Sequence, residues 1–252
     1  PTSALSATSG TFTTDLTVDT DTLKVDSTND RVGINTTAMS SYYAKDFVVS
    51  CANQGGMTLV GGTSDTQYLM FADGTSGADR YRGFIEYSHI TNKMSLAADG
   101  IGRIVINPAG EVTMPNQPAF LAVPASGQTN LATGTVIVFG TEKFDQNADF
   151  ASNTFTAPVT GKYQLNFMGR VDQIDTAANW QRLVLVTSNT TYQSQIIDLG
   201  GLSGDPNYWN FNINVLADMD ASDTAFIKWE QDGGSNQADM TEQSFFSGYL
   251  VA

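Results

Sequence analysis

The sequence almost lacks the two side chains on which most nucleophilic and metal chemistry depends. Its 252 residues include one histidine, His89, and one cysteine, Cys51. A Ser-His-Asp triad and a Cys-His pair would both need that one histidine, and a zinc centre needs several such ligands. We expect His89 to be a structural or surface residue and Cys51 a buried or half-buried small side chain. With no GxxxxGK[ST] or GxGxxG phosphate-binding motif, the sequence predicts no enzyme and no organic cofactor.

Positive charge is also scarce. The chain has 12 Lys and Arg against 26 Asp and Glu, which gives a formal net charge of −14. Such a chain repels the phosphate backbone of DNA and RNA, so nucleic acid is an unsuitable partner. Apolar runs are short as well, and none approaches the roughly 20 residues that cross a bilayer as a helix. We expect no membrane insertion.

Helical patterns are missing too. No run of apolar residues follows helical spacing for more than about two turns. Asp outnumbers Glu by 21 to 5 and the chain has 23 Gly, a composition that favours turns between short strands. The sequence therefore predicts an all-β fold.

One stretch in the second half predicts two strands and the turn between them. Residues 154–157 are β-prone and end at Pro158, and Thr160-Gly161 turns the chain into a second strand over 162–168. The alternation predicts an inward face of Tyr163, Leu165 and Phe167 and an outward face of Lys162, Gln164 and Asn166. One face of this second strand is therefore expected to be a core face.

The clearest alternation in the chain runs over residues 208–216. Its dry face is predicted to carry Trp209, Phe211, Ile213 and Val215, and its polar face Asn210, Asn212 and Asn214. Other strands of the second half are predicted over 136–139 (as a buried run), 180–186, 195–199 and 224–230. Turns rich in Gly, Asp and Asn separate the strands predicted in the first half, over 46–50, 57–60, 67–71, 83–88, 93–96, 103–106 and 111–114.

The first half begins with very short strand patterns. LTVD and LKVD recur seven residues apart within 16–26, and RVGIN at 31–35 is echoed by RIVIN at 103–107. Sheets made of such short pieces are marginal in water when isolated. We therefore expect several chains to cooperate in forming this region.

The second half resembles the complement component 1q and tumour necrosis factor superfamily. FTAPV-x-G-x-Y at 155–163 is similar to a central motif of that superfamily, and FSGYL at 246–250 to its closing strand. TAFIKWE at 224–230 lies where the superfamily has the strand after an acidic turn. The resemblance covers about 118–252. It implies a jelly roll of eight to ten antiparallel strands, three copies around a threefold axis, and both ends of the domain at the base.

The first half resembles phage tail fibres. Residues 16–34, LTVDTDTLKVDSTNDRVGI, are similar to repeats of trimeric fibres, which implies an intertwined threefold β shaft. GFIEYSHITNKMSL at 83–96 and GRIVINPAGEV at 102–112 are similar to a segment that precedes the distal domain of such fibres. The usual closing VGIGT is replaced by EVTMPNQP at 111–118, so the same register is not carried over.

Together the two resemblances imply a fibre with a tip. Residues 1–14 are predicted to be a tether, 15–115 a fibrous β-rich shaft and 116–252 a jelly-roll tip domain, in a homotrimer. The implied function is that of the distal part of a tail fibre in the extracellular virion. It would contact other tail proteins and bind a host cell-surface glycan or protein. The alternatives are a structural spike or decoration protein, and a polysaccharide depolymerase with a pair of carboxylates.

The candidate binding residues lie in three loops predicted at the far tip, 172–179, 200–207 and 232–242. Loops on a rigid scaffold commonly carry function, and these are rich in Asn, Gln, Asp and Gly. The receptor-binding candidates are Asp172, Gln173, Asp175, Asn179, Asp205, Asn207, Tyr208, Asn236 and Gln237.

An apical calcium site on the threefold axis, with Asp172, Asp232 and Asp239, is the alternative to solvated acidic loops. The D-x-D-x-x-D spacing at 218–223 is expected to be a plain solvated turn.

Overall fold

A computed structural model of the chain describes residues 14–19 and 21–252. The predicted tether, 1–14, lies outside these residues except for Thr14. The chain divides into two compact units. One takes the residues up to Gln67 with Ser88–Ile90, and the other takes Tyr68–Tyr87 and Thr91–Ala252. The predicted boundary between shaft and tip near residue 116 stays a prediction.

The fold is all-β, as the sequence predicts. Apart from strands, the described residues form two short 3-10 helices, Met39–Ser41 and Gly77–Tyr81. Within that same part of the chain, no helix has the length and apolar content that crossing a bilayer would require.

The first sheet is a small four-stranded one. Its strands are β1 (Leu16–Val18), β2 (Leu23–Asp26), β3 (Arg31–Ile34) and β4 (Phe47–Val49). The first three form an antiparallel meander and β4 pairs with β3 in parallel. The turn after β2 is set by Asp26, whose Oδ1 accepts the N–H groups of Thr28 and Asn29 at 3.1 Å. Pairing therefore occurs within one chain, and the winding of three chains stays a prediction.

The second sheet has five strands in chain order. They are β5 (Thr66–Phe71), β6 (Gly83–Ser88), β7 (Lys93–Ala98), β8 (Ile101–Ile106) and β9 (Val112–Thr113). Six of the seven strands predicted in the first half are present as β4 to β9. The seventh, 57–60, is wrong: these residues are irregular, and Gly pairs at 55–56 and 61–62 leave only four residues between them.

Burial is slight throughout this half of the chain. None of residues 49–117, all of which the structure describes, is buried. Cys51 is exposed, so the expectation of a buried or half-buried side chain is wrong. It follows Ser50 in an irregular stretch that has no core to receive it. His89 lies in the turn after β6, where its N–H donates to the carbonyl of Asp65 at 3.0 Å.

Twelve further strands build the second half. They are β10 (Ala119–Val123), β11 (Thr141–Asp145), β12 (Phe150–Ala151), β13 (Thr154–Thr156), β14 (Gly161–Asp172), β15 (Ala178–Thr187), β16 (Thr191–Gln193), β17 (Ile197–Asp198), β18 (Tyr208–Met219), β19 (Thr224–Gly233), β20 (Asp239–Met240) and β21 (Phe245–Leu250). Instead of a buried strand, residues 136–139 form one bridge, Val136 with Lys228, and only Ile137 and Phe139 of the four are buried.

These strands form a jelly roll. One sheet has the order β11-β10-β21-β14-β18, with β20 also on β14, and the other β12-β13-β19-β15-β16, with β17 also on β15. All pairings in both sheets are antiparallel, and the chain passes from one sheet to the other between β13 and β14 and again between β14 and β15. The closing strand β21 lies between the first strand β10 and the central strand β14. Two antiparallel sheets with such long-range pairing are a jelly-roll architecture.

The core between the two sheets is rich in aromatic rings. Phe120 stacks on Phe150 and Phe155 with centroids 4.9 Å apart, and it meets Phe246 edge to face at 5.0 Å. Across the core, Phe211 packs edge to face on Trp229 at 5.8 Å. The predicted inward residues of the strand over 162–168 are all buried, and the predicted alternation of 208–216 is confirmed, with the three asparagines exposed.

The structure explains two residues of the sequence motifs. In FTAPV-x-G-x-Y, the Tyr163 hydroxyl donates to the carbonyl of Val159 at 2.7 Å, which fixes the bend before β14. In FSGYL, a Cβ on Gly248 would lie 2.6 Å from Leu165 Cδ2 and 2.8 Å from Phe120 Cε1. Only glycine leaves the room that these two core side chains need.

The two ends of the domain lie side by side. The N–H of Leu250 donates to the carbonyl of Pro118 at 3.1 Å, and the N–H of Lys162 to that of Ala252 at 2.7 Å. From there β14 runs for 12 residues, a rise of roughly 36 Å, to Asp172 at the opposite end of the sandwich. The candidate loops therefore lie at the end far from the domain's entry point.

Candidate functional site

The three loops predicted at the tip contact one another. The N–H groups of Gln173 and Ile174 both donate at 3.1 Å, to the carbonyls of Asn207 and Pro206 respectively. These bonds continue the pairing of β14 with β18, in which Asp172 lies opposite Tyr208. The first two loops are thus held together by the sheet itself.

Asp205 joins all three loops. Its Oδ1 accepts bonds from the backbone N–H of Thr176 at 2.8 Å and from that residue's hydroxyl at 2.5 Å. Its Oδ2 accepts a bond from the side-chain amide of Gln237 at 2.9 Å. The hydroxyl and N–H bonds of Thr176, with the bond from Gln237, lower the pKa of Asp205 below its ordinary value of 3.8. The carboxylate is therefore ionised at neutral pH and orders the loops around it.

Asp175 is a second internal link and is itself buried. Its Oδ1 accepts the N–H of Ala177 at 2.8 Å, and its Oδ2 accepts the N–H of Ser235. Only 4% of the residue is exposed. Its carboxylate faces backbone N–H groups, so it shapes the loops from beneath their surface.

Asn179 and Asn236 also make bonds within the tip. The Asn179 amide donates to Asp232 Oδ2 at 2.9 Å. Asn236 Oδ1 lies 3.4 Å from the amide nitrogen of Gln231, whose side chain also donates to the carbonyls of Gly233 and Ser235. Gln231 in turn accepts the indole N–H of Trp229 at 3.1 Å, which ties this loop to the core.

Tyr208 presents an open aromatic ring near the other candidates. It is 64% exposed, and the guanidinium of Arg170 lies over the ring, 5.2 Å from its centroid. Arg170 also donates to both oxygens of Asp172, at 2.9 and 3.2 Å. The charge of Asp172 is therefore balanced within its own strand.

An open pocket of about 570 Å³ lies beside these residues. Four predicted residues line it: Asp172, Gln173, Asn207 and Asp239. The other walls come from 240–243 and from Gly127 and Thr129, and no sequence pattern indicates the last two residues. They reach the pocket because Gln128 and Met240 exchange two backbone hydrogen bonds of 2.9 Å across a long sequence separation.

Asp239 and Gln173 fix one wall of the pocket. Asp239 Oδ1 accepts the N–H of Asn130 at 2.8 Å, and its Oδ2 lies 3.3 Å from the side-chain amide nitrogen of Gln173. These bonds hold the 127–130 segment, the end of β14 and β20 together. The remaining predicted residues lie outside this lining: Asp175, Asn179, Asp205, Tyr208, Asp232, Asn236 and Gln237.

The three residues of the predicted calcium site do not converge within one chain. Asp172 and Asp239 are neighbours in the β14-β20 pairing, but Asp232 is bonded to Asn179. The carboxylate of Asp172 already accepts hydrogen bonds from Arg170. Among the described residues, no group of three Asp, Glu, His or Cys could hold a metal ion. A calcium ion shared by three chains at the apex stays a prediction.

The 218–223 segment forms a turn between β18 and β19. Asp223 Oδ2 accepts the N–H of Asp220 and the side-chain amide of Asn189, both at 2.8 Å. The carboxylate of Asp223 thus closes the turn and binds the neighbouring loop.

Comparison with known proteins gives structural neighbours alone. No protein-family profile and no curated protein sequence matches the chain. The globular domain of zebrafish complement 1qA is 16% identical, with a TM-score of 0.42 over 54% of this chain and 98% of that one. Murine APRIL at pH 8.0 is 10% identical, with a TM-score of 0.39 over 54% and 100% of the two chains. Eiger TNF from S. frugiperda is 10% identical, with a TM-score of 0.41 over 54% and 93%.

Proposed function

We propose that the chain is the distal part of a phage tail fibre, a homotrimer whose jelly-roll tip binds a host cell-surface glycan or protein during adsorption. The protein would lie in the virion, outside the cell, and its shaft would join other tail proteins. The similarity of residues 16–34 to the repeats of trimeric fibres supports the viral assignment. The mechanism is avidity: three equivalent tips on one shaft raise the effective concentration of each weak contact.

The observation that carries the proposal is the exposed apolar surface of the first half. Of the thirty large apolar side chains that are exposed in the described residues, twenty lie before residue 117. Among them are Tyr43, Val60 and Ile90, with 106%, 86% and 66% of their surface exposed. Burying one such side chain contributes about 1.5 to 3 kcal/mol, so a chain that leaves twenty in water has a strong drive to associate.

The tip sheet also has a surface suited to a second copy. The outer face of β18 and β21 carries Leu216 and Tyr249, with 54% and 49% of their surface exposed. β18 is 12 residues long, and within the described residues its second edge has no strand on it. A long open edge is normally covered by another chain or blocked by charge, and the outer face of β18 beside this edge carries three uncharged asparagines, Asn210, Asn212 and Asn214. This supports a trimer that extends through the tip.

We also propose that the protein is not an enzyme. Asp149 has its pKa raised by burial and by the nearby Asp145, the kind of carboxyl pair that a glycosidase uses. Asp145, however, accepts the N–H groups of Asp149 and Phe150 at 3.0 and 2.9 Å, which closes the turn between β11 and β12. The pair therefore has a structural explanation.

Receptor binding is tested with labelled full-length chain and a panel of bacterial strains. We expect saturable binding to at least one strain, and a loss of at least tenfold in affinity for Tyr208→Ala at the tip. The matched control is Phe144→Ala on β11, an exposed ring (51%) outside the candidate loops, which should bind normally. Saturable binding to no strain would contradict the proposal. Binding that Tyr208→Ala leaves unchanged would place the receptor contact away from Tyr208.

A further inference from the structure

The pocket beside β20 has the size of a ligand site. Its volume of about 570 Å³ falls within the roughly 300 to 1,000 Å³ usual for small-molecule pockets. Its lining consists of carboxylate, amide and hydroxyl side chains together with Met240 and Gly127. Of the described residues that line it, none is Lys or Arg.

Two polar side chains of the lining are free to bind a ligand. Glu242 and Gln243 are exposed, and neither side chain makes a hydrogen bond within the described part of the chain. Thr241 Oγ1 also has no hydrogen-bond partner among those residues, but it is shielded from solvent and therefore out of a ligand's reach.

The opposite wall is already ordered. Gln173 and Asp239 contact each other, and Asp239 is anchored by the backbone of Asn130. A ligand would therefore meet fixed acceptors on one side and free amide and carboxylate groups on the other. Little ordering of the wall at Asp239 would be needed on binding.

Charge decides which polar ligand fits. Arg170 balances Asp172, but Asp239 and Glu242 leave the pocket with net negative charge. A ligand with carboxylate or phosphate groups would be repelled. Hydroxyl groups both donate and accept hydrogen bonds, so they match a lining of carboxylates, amides and hydroxyls.

We propose that this pocket binds a saccharide that carries no carboxylate or phosphate group. The inference rests on the proposed receptor-binding function and narrows it to one site and one class of ligand. Tyr208, whose ring is exposed at the neighbouring end of β18, lies where it can flank such a ligand.

The test is a glycan array probed with the labelled full-length chain. The array displays neutral, glucosamine-terminated and sialic-acid-terminated oligosaccharides. Signal on the neutral or glucosamine-terminated arms is expected, and it should fall at least tenfold in Gln243→Ala. Gln195→Ala, an exposed glutamine outside the pocket, is the matched control and should bind as the unaltered chain does.

A charge variant tests whether the negative charge of the pocket disfavours acidic glycans. Glu242→Gln should raise the sialylated signal relative to the neutral one, whereas Glu142→Gln on β11 should leave the ratio unchanged. Signal confined to sialylated glycans, or neutral binding that Gln243→Ala does not alter, would overturn the assignment. Binding to cells without any glycan signal would overturn it as well but leave receptor binding intact. Absence of binding to cells together with absence of any glycan signal would overturn both the saccharide site and the receptor-binding function.

Discussion

The two halves of the chain place their apolar side chains in opposite environments. Residues 118–252 contain all but two of the buried apolar residues, and the exceptions are Met39 and Val48. Residues 14–117 contain most of the exposed large ones. In both halves the backbone N–H and C=O groups are paired between strands, yet only the second half encloses a core. Strand pairing and burial are therefore separate properties of a sequence, and the first half pairs its strands without enclosing a comparable core.

The largest expected effect comes from a ring in the centre of the second half. Phe120→Ala removes a side chain that is 1% exposed and touches three other phenylalanines, so it should lower the free energy of unfolding by about 3 to 5 kcal/mol. The matched variant in the first half, Phe71→Ala, alters a ring that is 58% exposed. It should change the unfolding of the sandwich by less than about 0.5 kcal/mol.

Urea denaturation followed by tryptophan fluorescence measures this difference, because Trp180, Trp209 and Trp229 all lie in the sandwich. Equal losses of unfolding free energy for the two variants would show that the two halves share one core.

A smaller loss of unfolding free energy is expected when the same core is overpacked. Gly248→Ala would place a Cβ within 3 Å of Leu165 and Phe120, which should cost about 1 to 3 kcal/mol. Gly204→Ala is the control, since a Cβ there meets nothing within 4 Å. If both variants unfold at the same urea concentration, β21 is not packed as tightly between β10 and β14 as the structure describes.

The smallest expected effect is a pH-dependent loss of the hydrogen bonds that Asp205 makes in the candidate loops. The pKa of Asp205 is lowered in the folded protein, so the bonds to Thr176 and Gln237 are stabilising above the ordinary value of 3.8. They should be lost as the pH falls further, through the lowered pKa, and the carboxylate is protonated. The Thr176 amide resonance should shift with this titration while the sandwich stays folded. In Asp205→Asn the shift should vanish, and its persistence would place the titrating group elsewhere.

Much of the fold could be predicted from local sequence because the strands with one buried face alternate strictly. β14 and β18 are the clearest cases, since every second residue is apolar over most of their length. The irregular stretch at 57–60 was mistaken for a strand because a short apolar run says nothing about whether a pairing partner exists. The expectation that Cys51 is buried fails for a similar reason: residue type indicates a preference for burial, but none of residues 49–117 is buried.

The site could be predicted only in part. Counting strands back from the closing motif located the three loops, and Asp172, Gln173, Asn207 and Asp239 do line one pocket. That Asp175 is buried beneath those loops could not be read from an acidic, loop-like sequence. Gly127 and Thr129 were missed because they join the pocket through the pairing of Gln128 with Met240, a long-range contact without a local pattern.

The solution mass of the chain, measured by light scattering at low protein concentration and without calcium, shows whether three copies associate. We expect a trimer of about 81 kDa, three times the chain's 27.0 kDa. The exposed apolar residues of the first half should then be protected from labelling and proteolysis. A compact, folded particle of 27.0 kDa would contradict the account, because one chain would then tolerate that apolar surface in water.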